Sequence, residues 1–168
     1  MFFFKNLRSN GVKEFFSPNN LQISCRDNRD KNYIVNSKMI SRDYTYNLLH
    51  CAYEVYDELG PGLLESIYEE ALAKELTMSG FQVERQVPVP VYYKGEPLCN
   101  DLRLDLLVDG QVILELKSVL EYKKLFEKQL YSYLRLMDCE LGYVINFNVE
   151  HLKDGIHPIV NRFSFESK

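Results

Sequence analysis

The stretch RLDLLVDGQVILELK, residues 103 to 117, has the outline of a buried β-hairpin, with apolar runs on either side of an Asp-Gly pair. Three charges interrupt it: Asp105 lies inside the first run, and Glu115 and Lys117 punctuate the second. Ionised groups taken out of water are costly unless they serve one another. Glu115 and Lys117 are two apart on a strand, so both point to one face while Leu114 and Leu116 point to the other. A lone E-x-K of this kind is ordinarily a solvated strand face. An acid on the neighbouring strand changes the reading, because two carboxylates can share a divalent cation while the ammonium orients a water or steadies developing negative charge. Mg²⁺ suits such a set: it takes a few carboxylates, keeps several waters and completes its shell with phosphate oxygens.

Whether the acids meet depends on register. If Asp109 and Gly110 alone made a two-residue turn, Asp105 would stand opposite Leu114 with its side chain facing away from Glu115. A three-residue loop, with Gly110 or Gln111 in the left-handed region, would pair Val108 with Val112 and Asp105 with Glu115. A bulge or bend near Asp105 would serve equally well. Sharing a cation requires the acids on one side of the sheet, within roughly 4 to 6 Å.

The elements that must position these residues follow from periodicity. SRDYTYNLLHCAYEVYDELG places Tyr44, Leu48, Ala52, Val55 and Leu59 on one helical stripe, with Ser41 as N-cap and Gly60 at the end. PGLLESIYEEALAKELTMSG predicts a second helix over 62 to 79, with Leu64, Ile67, Ala71, Leu72 and Glu75 or Leu76 on its stripe and Gly80 closing it. FQVERQVPVPVYYKG alternates from Phe81 through Val83, Val87, Val89 and Val91, and its prolines at 88 and 90 point to an edge position or a bend. After the hairpin comes a helix over 119 to 137, with Leu120, Phe126, Leu130, Tyr133, Leu134 and Met137 facing inward. LGYVINFN reads as a buried strand and IHPIVNRFSF as a final one. The fold class is α/β (α+β): a central mixed sheet flanked by helices, in the order α-α-β-β-β-α-β-β.

Composition sets the limits. With 168 residues, 46% of them apolar, the chain supports one good core. Residues 1–38 hold seven basic and three acidic residues, and SPNNLQISCRDNRDKNYIVNSK shows neither helical nor strand periodicity, so the segment reads as a poorly ordered basic extension. Met39 is a candidate alternative start. Residues 39–168, the expected domain, then carry 13 basic and 21 acidic residues, a net charge of −8. Bulk charge of that sign repels nucleic acid, so any such binding needs a local patch or bound cations. Cys25, Cys51, Cys99 and Cys139 form no C-x-x-C pair, which favours reduced thiols and a cytoplasmic location over disulfides or a zinc site. No apolar run has the ~18 to 20 residues of a membrane span, and the opening MFFFKNLR is too short for a signal core. His50, His151 and His157 share no spacing and are not taken as ligands. Lys117, Lys123, Lys124, Lys128 and Arg135 make the local basic excess near the acids, where substrate backbone contacts would be needed; such a run is otherwise a solvated helix face.

Asp105, Glu115 and Lys117 together resemble the signature of the PD-(D/E)XK nuclease superfamily, and GLLESIY, residues 62 to 68, resembles the G-x-x-E-x-x-Y motif of one small bacterial branch of it. The resemblance covers about 45 to 163, with the two motifs in the family's order and VPVPVYYKGEPL between them. Leu104 stands where the superfamily's proline is expected, a position that varies within it. The resemblance implies a restriction-endonuclease-like core and a metal-dependent nuclease, in which Asp105 and Glu115 hold Mg²⁺ or Mn²⁺ and Lys117 assists the attacking water. It implies that Glu65 completes or supports the metal site, although an acid in a first helical turn is favoured by the helix dipole alone. Gln129 and Tyr133 resemble a Q-x-x-x-Y element bordering the active site, against the plain alternative of an amide beside a core aromatic. Tyr68 reads as packing, with a hydroxyl that needs a partner. The expected substrate is nucleic acid, DNA first. The rival reading is a non-catalytic module on the same fold, binding nucleic acid or protein.

Overall fold

The computed structural model describes residues 40–99 and 101–161 throughout, and before them the backbone of three strands. The chain divides into two compact units, Met1–Thr45 and Tyr46–Lys168. In the first, β1 (Lys13–Ser17), β2 (Asn20–Arg26) and β3 (Asn32–Asn36) form an antiparallel sheet in that order. The sequence reading found no strand periodicity here, and this corrects it. Leu21, Ile23 and Cys25 do alternate, but over a single short strand set among polar residues, where the pattern is easily lost.

Eleven further elements follow: α1 (Arg42–Leu59), α2 (Glu65–Met78), β4 (Val83–Pro88), a small hairpin β5 (Tyr92–Tyr93) and β6 (Glu96–Pro97), β7 (Arg103–Val108), β8 (Val112–Lys117), α3 (Lys124–Leu136), β9 (Leu141–Asn146) and the pair α4 (Leu152–Gly155) and β10 (Ile156–Val160). The main sheet has the order β10-β9-β8-β7-β4. Its neighbours are antiparallel except β8 and β9, which run parallel because α3 carries the chain back between them. This is the expected mixed sheet with flanking helices, and β4 takes the edge position its prolines require. The β5–β6 hairpin and α4 are additions. Residues 162–168 of the expected final strand lie outside the described residues.

The first helix forms as its sequence demands, except that Leu59, at its end, is exposed rather than on the buried stripe. Ser41 Oγ accepts the Tyr44 N–H at 3.1 Å, satisfying a donor of the first turn, and Leu48, Cys51, Ala52 and Val55 are buried. The second helix begins at Glu65 rather than 62 and buries Leu72 and Leu76 of the expected stripe but not its first residues. Tyr68, Glu69, Leu72, Ala73 and Leu76 face the core, whereas Leu64 and Ile67 are exposed. Apolar residues occur around much of this helix, so periodicity alone does not select the buried side. The third helix begins at Lys124 rather than 119, and Leu120 lies exposed in the loop before it. The reason is Asn146 at the end of β9: its Nδ2 donates to Val119 O at 2.9 Å and its Oδ1 accepts Val119 N–H at 3.0 Å, taking that backbone out of any helix. From there Leu130, Tyr133 and Leu134 pack on Leu104, Leu107, Ile113 and Val144.

The corrected α2 register has a measurable consequence. Leu72→Ala opens a fully buried position and should cost about 2–5 kcal/mol in denaturant unfolding, while Ile67→Ala should cost no more than about 0.5 kcal/mol. Comparable losses would return Ile67 to the core.

Candidate active site

The hairpin takes the register that brings the acids together. Leu106 pairs with Leu114, Leu107 with Ile113 and Val108 with Val112, around a loop of Asp109, Gly110 and Gln111. Asp109 and Gly110 both have positive φ, 51° and 67°. Gly110 does so freely, and Asp109 is among the side chains that tolerate it. Asp109 is also held in place, since its Oδ1 accepts Gln82 N–H at 2.9 Å and its own N–H donates to Gln82 O at 2.8 Å.

Continued one step, this register sets Asp105 against Glu115. There the ladder yields to a side chain: Asp105 Oδ2 accepts the Leu116 N–H at 2.8 Å. Glu115 is 3% exposed, and its Oε1 accepts from Lys117 Nζ at 3.0 Å. The same ammonium donates to Leu116 O at 2.7 Å and to Glu65 Oε1 at 3.4 Å, and lies 5.7 Å from the centre of the Phe126 ring. Burial pushes the Glu115 carboxyl up to about 7, with Asp105 adding to the rise and Lys117 opposing it. Burial raises Asp105 too, against the Leu116 N–H and Lys117, with Glu65 and Glu69 contributing to the rise. Burial draws Lys117 down, but Glu115, Glu65 and Asp105 outweigh it, so the ammonium stays charged. The site therefore gathers more negative charge than one lysine neutralises, which adds to burial in pushing both carboxyls toward their protonated forms.

Glu65 reaches the ammonium because the preceding loop is fastened. Tyr68 Oη donates to Gly60 O at 2.6 Å and accepts Leu63 N–H at 3.1 Å, and its ring stacks on Phe147 at 4.4 Å. Gly62 supplies the φ of 99° that the turn requires. Ser118 Oγ, directly after Lys117, donates to Leu63 O at 2.6 Å and locks the two segments together. The spacing of Gly62, Glu65 and Tyr68 is thus a local device: the tyrosine braces the loop that delivers the glutamate.

Of the expected site residues, Asp105, Glu115, Lys117 and Glu65 converge. Gln129 and Tyr133 bond to one another, Nε2 to Oη at 2.8 Å, with Tyr133 buried in the core, which is the plain packing alternative. Lys123 and Lys124 are exposed at the start of α3, the end that brings Phe126 to Lys117. The sequence reading missed Glu69, which is 6% exposed and takes Arg85 Nε at 2.9 Å and Gln86 Nε2 at 2.6 Å. Gln86 also lies 3.4 Å from Asp105 Oδ1. Successive strand residues normally face opposite ways, yet Arg85 and Gln86 both reach Glu69, because Gln86 has a φ of 50° and breaks the pleat. The available signal was the i, i+4 spacing of Glu65 and Glu69, which puts both acids on one helical face.

The chemistry of the donor set fits a hard divalent cation. Glu115 Oε2 is buried without a hydrogen-bond partner, and an unpartnered buried carboxylate oxygen beside a second carboxylate calls for a cation. Among the described residues, however, no three His, Cys, Asp or Glu side chains are grouped closely enough to hold an ion. Glu65, the expected third acid, lies 3.4 Å from the Lys117 ammonium. No helix among the described residues is long and apolar enough to cross a membrane.

A family model described as the PD-(D/E)XK nuclease superfamily matches residues 42–159, which include every charged residue of this site. Neither the curated proteins nor the solved structures give a match.

The raised Glu115 carboxyl makes stability depend on pH with a definite sign. Between the ordinary value of 4.5 and about 7, the folded state holds a proton that the unfolded chain has released, so stability falls as pH rises through that window. In chelator, the melting temperature of the wild type should drop more between pH 5 and pH 8 than that of Glu115→Gln, which lacks the titrating group. Parallel profiles would remove Glu115 as the source.

Proposed function

The chain belongs to the PD-(D/E)XK nuclease superfamily, and from this premise we propose that it is a metal-dependent nuclease that hydrolyses phosphodiester bonds, with DNA as the first candidate substrate. The observation that carries the reading is the buried, unpartnered Oε2 of Glu115, a residue whose carboxyl feels the charge of Asp105, with a charged lysine bonded to the other oxygen of the same carboxylate. An ordinary strand face has no physical reason to keep three ionisable groups converging out of water.

In this reading Asp105 and Glu115 would hold Mg²⁺ or Mn²⁺, a Lewis acid that polarises the phosphate and lowers the pKa of bound water. The remaining roles belong to the chain. Lys117, fixed by Glu115, Glu65 and Leu116 O, presents a cation where the attacking water must be oriented and where charge builds on the pentacovalent phosphate. Glu65 serves as a positioning residue, acting through its ion pair with Lys117. The Leu116 N–H fixes one oxygen of Asp105, leaving the other turned toward Gln86 at a long distance of 3.4 Å, where a stronger partner can replace the amide. Lys123 and Lys124, exposed on the α3 end beside the site, would meet the substrate backbone.

Two measurements test this, beside a cleavage assay on single-stranded DNA, duplex DNA and RNA with Glu115→Ala as control. Millimolar Mg²⁺ or Mn²⁺ should raise the melting temperature of the wild type by relieving repulsion between the acids, and do so much less for Asp105→Ala. Equal shifts would mean nonspecific binding. Lys117→Met should leave metal binding in place and lower cleavage by roughly 10²-fold or more, a loss of about 2.7 kcal/mol of transition-state stabilisation. Undiminished cleavage would move the role elsewhere.

A further inference from the structure

Four large aliphatic side chains lie exposed on the two segments that deliver Glu65 and Lys117. Leu64 is 74% exposed and Leu120 is 94% exposed, with Leu63 and Ile67 also open to solvent. Leu64 sits between Leu63, whose carbonyl accepts from Ser118, and Glu65, whose carboxylate meets Lys117. Leu120 follows directly on Val119, whose N–H and carbonyl are both bonded by the Asn146 amide. Ile67 is three residues beyond Leu64 and shares its side of α2. The backbone next to the two most exposed leucines, at Leu63 and Val119, is therefore held by hydrogen bonds to Tyr68, Ser118 and Asn146, on the segments that lead to Glu65 and Lys117.

Building on the nuclease reading, we infer that this aliphatic rim contacts nucleobases, and that the substrate enters the site as an unpaired strand. Two physical arguments support it. The first is electrostatic. Residues 39–168 carry 21 acidic against 13 basic residues, and the central cation, Lys117, is engaged by carboxylates. Duplex DNA presents about one charge per ~1.7 Å of its axis, roughly twice the density of either strand alone, so this surface repels a duplex more strongly. The second is chemical. With phosphate attraction confined to a few side chains such as Lys123 and Lys124, binding must also draw on apolar contact with base faces, and those faces are open only where bases are unpaired or unstacked. Aliphatic side chains beside nucleic acid act in this way, as wedges against bases rather than as readers of their edges. The braced loops suit the role, because a wedge that yields cannot hold bases apart.

The experiment uses the full chain with Mn²⁺ and one labelled DNA sequence, supplied as a single strand and as a blunt duplex. The wild type should cleave the single strand with a kcat/KM at least about tenfold above the duplex. The double variant Leu64→Gln, Leu120→Gln should lose most of that preference through a raised KM on the single strand, at an unchanged melting temperature, since both side chains are exposed. Leu64→Met with Leu120→Met should keep the preference. A wild type that favours the duplex, or a Gln variant with an unaltered ratio, overturns the inference and leaves the nuclease reading standing. Absence of metal-dependent cleavage of either substrate overturns the nuclease reading, and the inference with it.

Discussion

Glu115 places a carboxylate at 3% exposure next to a second acid, and the lysine that answers it is shared with a third. This excess of buried negative charge, held at the end of two central strands, is what the surrounding structure serves. A lone buried carboxylate would be expelled or neutralised. Here the opposing charge of Lys117 and the Leu116 N–H lower the cost without removing it. The apolar residues on either side, Leu114 and Leu116, are fully buried, so the strand cannot rotate to release the acid without exposing them. Burial of the leucines is therefore what holds the charge in place.

The scaffold around the acids consists of short, specific ties. Tyr68 braces the turn before α2, Ser118 joins that turn to the end of β8, and Asn146 holds the following loop against β9, where Phe147 N–H also donates to Lys117 O at 2.8 Å. Each tie satisfies backbone groups that would otherwise be left unpaired at a loop. Together they fix Glu65 and Lys117 relative to Asp105 and Glu115 from both sides of the sheet end. Preorganisation of this kind lets a site act without a reorganisation cost when charge develops.

The edge strand shows where stability yields to the site. Gln86 adopts a left-handed φ that a non-glycine residue reaches only at some cost, and Arg103 Nη1 secures its carbonyl at 2.9 Å. What the distortion provides is an amide aimed at both Glu69 and Asp105. A regular strand would have sent that side chain to the opposite face. Local strain, an orphaned carboxylate oxygen and a raised acid all meet within a few residues, which is how functional sites commonly differ from the cores that carry them.

The sequence by itself determined the elements and the identity of the central groups. Alternation and capping laid down α1, the β7–β8 hairpin and the buried β9, because each of these has one polar and one apolar side, or a run apolar throughout, that a local pattern can reveal. Asp105, Glu115 and Lys117 were legible because charges inside apolar strands are anomalous. Register was narrowed to two choices, and the tie between Asp109 and Gln82, 27 residues apart, accompanies the one adopted. What periodicity could not supply was any choice made by a distant partner. The buried side of α2 follows from Tyr68 stacking on Phe147, the start of α3 from Asn146 holding Val119, and the place of Glu69 from Arg85 and Gln86. Gln129 and Tyr133 satisfied a spacing, yet only packing decided that the hydroxyl would be used by the amide. Local sequence fixes which faces a segment offers; which of them is buried, and which charge is answered, depends on side chains brought close only when the sheet has formed.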